Sequence, residues 1–205
     1  MAVWGEKFRG AYTGRTVLGS SMNFDLYLGC VYFDKTRGGP NRGVWAVDIY
    51  QSERRVLTIW KRERDVTSNH AALTGILTGI HLLVQEGLMP TASEEWLTIH
   101  TIFQYIARGI TQWSGYWMEN EYRTKTSGKP IRNLELWREL LTYRPNLMVR
   151  WYAKGTNPII NELLDFCWEQ FDDDTLPTDY PEGATWLVNP QELKQERLKI
   201  VPSAI

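Results

Sequence analysis

A chain of 205 residues, with ten Trp and ten Tyr, holds enough apolar material for one packed domain and is too aromatic for a disordered tract. Its formal net charge of −1 gives no global field toward nucleic acid or anionic membrane, so any nucleic-acid binding needs a local patch. Cys30 and Cys167 are too few for a disulfide framework or a cysteine zinc site, and no stretch approaches the ~20 apolar residues of a membrane span; the expectation is a soluble, intracellular protein with buried thiols and no membrane partner, nucleus and cytoplasm being indistinguishable.

Residues 1–27 show no clear periodicity and are expected to be an N-terminal extension. The run Leu28 to Asp34 reads as a buried strand ending on an acid, and Gly38-Gly39-Pro40-Asn41 is strong turn punctuation. Val44–Tyr50 and Arg54–Trp60 supply two more strands, and the short links predict an antiparallel meander. Ser68 or Asn69 can cap a helix in which Ala72, Leu73, Ile76, Leu77, Ile80, Leu83 and Val84 recur at helical spacing. Trp96–His100 is a fourth strand. Helical patterns follow at 103–112 and 132–143, then a strand at Leu147–Tyr152 and a helix from Ile159 to Phe171. The fold class is α/β: a five-stranded mixed sheet flanked by helices over 28–171. Asp172-Asp173-Asp174, with Pro177, Pro181 and Pro190 after them, makes 172–205 an acidic, proline-broken tail, with a short amphipathic helix near 190–199.

Three segments carry the functional signal. They are Thr101-Ile102-Phe103-Gln104-Tyr105-Ile106, then Gly109-Ile110-Thr111-Gln112-Trp113, then the stretch from Gly128 to Trp137. Together they resemble type I ribonuclease H, in which the first reads T-D-S-Q-Y-V, and the resemblance spans about residues 28–170. It implies the ribonuclease H-like fold and a cluster of acids that binds two divalent ions to align an attacking water and stabilise the leaving oxygen. Hard ions of this kind take oxygen ligands, so carboxylates must be present. Asp34 matches the acid that ends the first strand, and Asp165, in Asn161-Glu162-Leu163-Leu164-Asp165, matches the one in the last helix. Ala72 stands in the slot of the first-helix acid and Ile102 in that of the fourth-strand acid. Thr156, in Gly155-Thr156-Asn157-Pro158, replaces the histidine of the family's mobile loop.

Other groups offer little replacement. Asp48 is expected to be an exposed strand residue, and Glu162 belongs to the family's own frame. His70, His81 and His100 have no spaced partner for a metal and are expected to be structural. Substrate-handling positions survive better: Thr67, Asn69 and Gln104 match family residues that touch hybrid backbone or minor groove, with Ser68 a milder departure. Arg123, Lys125, Lys129 and Arg132 fall in the stretch resembling the family's basic handle, where Glu119 and Glu121 dilute the charge. Trp113, Trp117 and Trp137, at helical spacing, are expected to pack.

The resulting expectation is a pseudo-ribonuclease H. It keeps the fold, loses two-ion hydrolysis, and serves as a protein-interaction or assembly element of a ribonucleoprotein, viral or transposon-derived complex. Two alternatives stand beside it: a non-cleaving binder of RNA/DNA hybrid or double-stranded RNA, and an active ribonuclease H with a site rearranged around Asp34 and Asp165. No cofactor is expected, and Mg²⁺ or Mn²⁺ enters only if activity is retained.

Overall fold

The computed structural model describes residues 23–33, 41–172 and 183–200. Alternating apolar and polar positions build three long strands, β1 (Phe24–Phe33), β2 (Arg42–Gln51) and β3 (Arg54–Arg64), paired antiparallel in sequence order. β4 (Leu97–Thr101) then adds parallel to β1, and β5 (Leu147–Trp151) parallel to β4. A sixth strand, β6 (Gly183–Trp186), pairs antiparallel with β3 and gives the order β5-β4-β1-β2-β3-β6.

Period-2 alternation sends β1 side chains to two different cores. Phe24, Leu26 and Leu28 face α1 (Ser68–Gln85), whose Leu73, Ile76, Ile80 and Leu83 are fully buried. Behind α1 lies α4 (Leu134–Thr142), with α2 (Gln104–Arg108) and α3 (Ser114–Glu119) beside it. The other face, with Val31, Val44 and Ala46, is covered by α5 (Pro158–Asp172) through Ile160, Leu163, Leu164 and Cys167. Thr67, rather than Ser68 or Asn69, is the N-cap of α1: its hydroxyl accepts the His70 N–H at 3.2 Å.

Two close approaches fix the packing. α5 lies so near β1 that a Cβ on Gly29 would sit 2.6 Å from the Leu163 Cβ. The helical run expected at 103–112 is broken by a π-helical turn at Gly109–Trp113. There, a Cβ on Gly109 would sit 2.1 Å from the buried ring of Trp137.

Several expectations change at the ends of the domain. β1 begins at Phe24, so Asp25 and Tyr27 belong to the sheet and not to an extension ending at residue 27. Six strands replace five because Gly183–Trp186 pairs with β3 as β6. The expected helix near 190–199 is present as α6 (Pro190–Ile200), yet it is docked, with Leu193 fully buried and Val188 nearly so in the main core. Lys194 also reaches Glu86 at the end of α1, 3.3 Å away. Leu193→Ala is therefore expected to cost about 2–5 kcal/mol, the usual range for a buried leucine truncation. Thermal unfolding followed by circular dichroism checks this, and an unchanged midpoint would show that α6 does not contribute to the core.

Candidate functional site

Of the positions aligned with the acid cluster, Ile102 follows the C-terminal end of β4 and packs on an apolar cluster. β1 and β4 run in parallel register from Phe24 beside Leu97 to Tyr27 beside His100, so two residues further on Gly29 stands beside Ile102. Gly29 is covered by Leu163, and half-buried Ile102 packs on the same apolar cluster. Ala72 is fully buried among the residues between α1 and the sheet. Asp165 and Glu162 are exposed on α5. Thr156 is exposed too, and its hydroxyl donates to the Ala153 carbonyl at 2.7 Å. Asp34 lies outside the described residues. Among the described residues no three His, Cys, Asp or Glu side chains gather to hold a metal. Ala72 and Ile102 offer no ligand oxygen, so the described residues at the aligned positions supply a single exposed carboxylate, Asp165, where paired Mg²⁺ needs several.

Polar groups do cluster on this sheet face, one step further from the strand ends. His100 is almost completely buried, with its Nε2 2.7 Å from Asp25 and its Nδ1 2.9 Å from the Tyr152 hydroxyl. A carboxylate accepts only, so Nε2 carries the proton and Nδ1 accepts from the tyrosine. Tyr27 stacks on the imidazole at 4.1 Å, and its own hydroxyl is pushed up to about 12, first by burial and then by the Asp25 charge. Asp48 is buried, not exposed as expected: it accepts from Thr58 at 2.6 Å and from Arg55 at 3.1 Å. Both groups are satisfied by partners on neighbouring strands, so they read as internal ties of the sheet. The expectation for His100 and the thiols holds: burial pushes the Cys30 thiol up to about 12 and raises Cys167 as well, leaving neither as a thiolate.

Across the sheet, on the α1 side, the aligned substrate-handling residues share a groove of about 1170 Å³. Thr67, Ser68 and Asn69 at the start of α1 form one wall, Tyr105, Trp113 and Tyr116 another, and Lys125, Arg132 and Asn133 a third. No carboxylate lines it, although the chain as a whole is slightly acidic. Its polar lining is otherwise hydroxyl and amide, with Gln112, Thr124 and Thr126 completing the set. Thr67, Ser68 and Asn69 begin α1, and a helix N-terminus favours an anion.

The aromatic wall is rigid. The Trp137 indole N–H donates to the Tyr105 hydroxyl at 2.9 Å, which in turn donates to the Arg132 carbonyl at 3.2 Å. Trp117 packs edge-on against Trp137 with ring centres 5.1 Å apart. Trp117 and Trp137 are thus core residues, and Trp117 lines the groove together with half-buried Trp113.

Not every aligned residue joins the groove. Gln104 is exposed at the start of α2, outside the lining. Arg123 spends its guanidinium inside its own loop, on the Gly128 carbonyl at 2.9 Å and near Glu121 at 3.6 Å. Lys129 is exposed on that loop. Gln112, Tyr116, Thr124, Thr126 and Asn133 are lining residues that motif reasoning missed, since the π-helical turn and the left-handed Asn133 (φ 56°) place them.

Residues 29–170 match the family profile described as RNase H. The chain is 32% identical over 130 residues to a ribonuclease H of Neorickettsia sennetsu, covering 62% of this chain and 81% of that one. It is 30% identical over 131 residues to a ribonuclease H of Bordetella pertussis, covering 63% and 78%. Among solved structures it resembles LC9-RNase H1, a type 1 RNase H with the type 2 active-site motif, with a TM-score of 0.60 and 20% identity over 85% of this chain and 81% of that one. It also resembles a foamy viral protease-reverse transcriptase in complex with RNA/DNA hybrid, with a TM-score of 0.58 and 11% identity over 73% of this chain and 20% of that one.

Proposed function

The chain belongs to the ribonuclease H family, and on that premise we propose that it binds RNA/DNA hybrid in the groove beside α1 without cutting it by the two-ion route. One observation carries the reading: the family's substrate-handling positions Thr67, Ser68 and Asn69 face Lys125 and Arg132 across an acid-free groove, while Leu163 rests on Gly29 beside Ile102. Hydroxyl and amide donors with two cations suit a ligand read by shape, 2′-hydroxyls and phosphates. The foamy viral relative, solved on hybrid, supports the choice of ligand class. An assembly role through a protein partner was the sequence-based preference because net charge is near zero. The groove supports nucleic acid more directly, since its local charge is positive despite that balance.

The test is fluorescence anisotropy with labelled hybrid, duplex RNA and duplex DNA across a salt series, run beside a cleavage assay in Mg²⁺ and in Mn²⁺. Each phosphate contact contributes a slope of about −0.9 in log K against log salt. Lys125→Ala and Arg132→Ala should each flatten the slope by about one contact and weaken binding of all sequences alike. Equal affinity of the double variant and the native protein would overturn the groove as the site. Turnover of hybrid abolished by Asp165→Asn would overturn the non-cleaving reading in favour of a rearranged centre.

A further inference from the structure

Beyond nucleic-acid binding, we propose that the free edge of β5 is a docking site for an extended acidic peptide of a partner protein, which adds to the sheet as a seventh strand. β5 ends the sheet, with β4 on its only paired side. The Tyr152 N–H donates inward to the Thr101 carbonyl at 3.0 Å, so alternation turns the backbone groups of Val149 and Trp151 outward. No described strand meets them. Beside this edge runs a second groove of about 700 Å³, separate from the first, walled by Ile110, Met118, Leu141, Leu147 and Val149. Met118 is 41% exposed and Trp151 50% exposed, two large apolar side chains flanking an open ladder. Main-chain donors and acceptors beside pockets for alternate side chains are what strand addition requires.

Charge selects the occupant. From Arg144 to Lys154 the chain carries Arg144, Arg150 and Lys154 and no acid, and none occurs anywhere between Glu139 and Glu162. The Arg144 guanidinium lines the groove and has no acidic partner among the described residues. A second copy pairing antiparallel about Val149 would bring Arg144 of each copy toward Lys154 of the other, and like charges facing one another destabilise such a pair. Cations on an edge strand also discourage self-association. A strand alternating carboxylates with apolar side chains meets both features: its acids reach the cations while its alkyl groups enter the groove. Nucleic acid would satisfy the cations but gain nothing from the apolar wall or the open backbone.

The experiment uses a fluorescein-labelled nonapeptide alternating valine and glutamate, titrated with the full chain. Saturable binding is expected, weakened ~tenfold or more by Arg144→Glu, by lysine in place of glutamate, or by proline at alternate peptide positions, since truncating one partner of a charge pair or removing ladder donors has effects of this size. Hybrid binding in the first groove should be unchanged by Arg144→Glu, which also shows that the variant is folded. Three results would overturn the proposal: equal binding of the proline peptide, displacement of the peptide by duplex nucleic acid, or no saturable binding. A dimer in sedimentation equilibrium that the glutamate peptide does not dissociate would overturn it too, in favour of a second copy.

Discussion

Glutamate at position 72 is expected to destabilise the protein severely rather than to revive hydrolysis. Ala72 is fully buried, in the cluster that joins α1 to the sheet. A carboxylate there enters an apolar cluster, so it must either shed its charge, its pKa raised by desolvation, or pull the helix start open. An unpaired buried charge costs about 3–5 kcal/mol, a large fraction of a typical domain's total of about 5–15 kcal/mol. Ile102→Asp is half-exposed and should be far milder. Urea unfolding of the two single variants and the double variant measures the difference. If the non-cleaving proposal is right, hybrid cleavage in Mg²⁺ and Mn²⁺ is absent in all three, because Leu163 still covers Gly29. A folded double variant that degrades hybrid would show that the carboxylate slots remain competent, and the account of a closed centre would fail.

Gly109→Ala is the second large effect. The new methyl would stand 2.1, 2.5 and 2.9 Å from three carbons of the Trp137 ring, which is fully buried and has no room to retreat. Overpacking of a rigid core costs about 1–3 kcal/mol and sometimes more. For a chain of this size that lowers the melting temperature by roughly 2–4 °C per kcal/mol. The damage should extend to ligand binding, since Trp137 holds Tyr105 in place and Tyr105 lines the groove. Gly115→Ala provides the comparison: nothing lies within 4 Å of its Cβ, and alanine in a helix is at least neutral. Equal melting temperatures for the two variants would show that the contact between Gly109 and Trp137 is not confining.

Much of the fold was legible because it rests on periodicity. The meander followed from alternation in β1 to β3, and α1 from the spacing of Ile76, Ile80 and Leu83. β6 was not legible: Gly-Ala-Thr-Trp is too short to show a period, and only its partner β3 makes it a strand. The start of β1 was missed although Phe24, Leu26 and Leu28 alternate with Asp25 and Tyr27, because the continuous apolar run begins later. Asp48 was misjudged for a related reason. Its burial depends on Thr58 and Arg55 reaching it from the next strand, which composition does not reveal. Motif matching placed Ala72 and Ile102 in acid slots and took Asp34, which lies outside the described residues, as the first strand's acid. The pairing of β1 with β4 is what brings Gly29 level with Ile102, and register is a property of two strands together.

The docking of α6 and β6 has a practical side for anyone cutting the gene. A fragment stopped at residue 171, where the family-like region ends by sequence, would lose Val188 and Leu193 from the interior and strip β3 of its outer neighbour. The bared ladder along Leu57–Trp60 would then be a sticky margin, prone to recruit other strands during expression. Recombinant versions should run through Ile200, so that the protein brings its own selvedge.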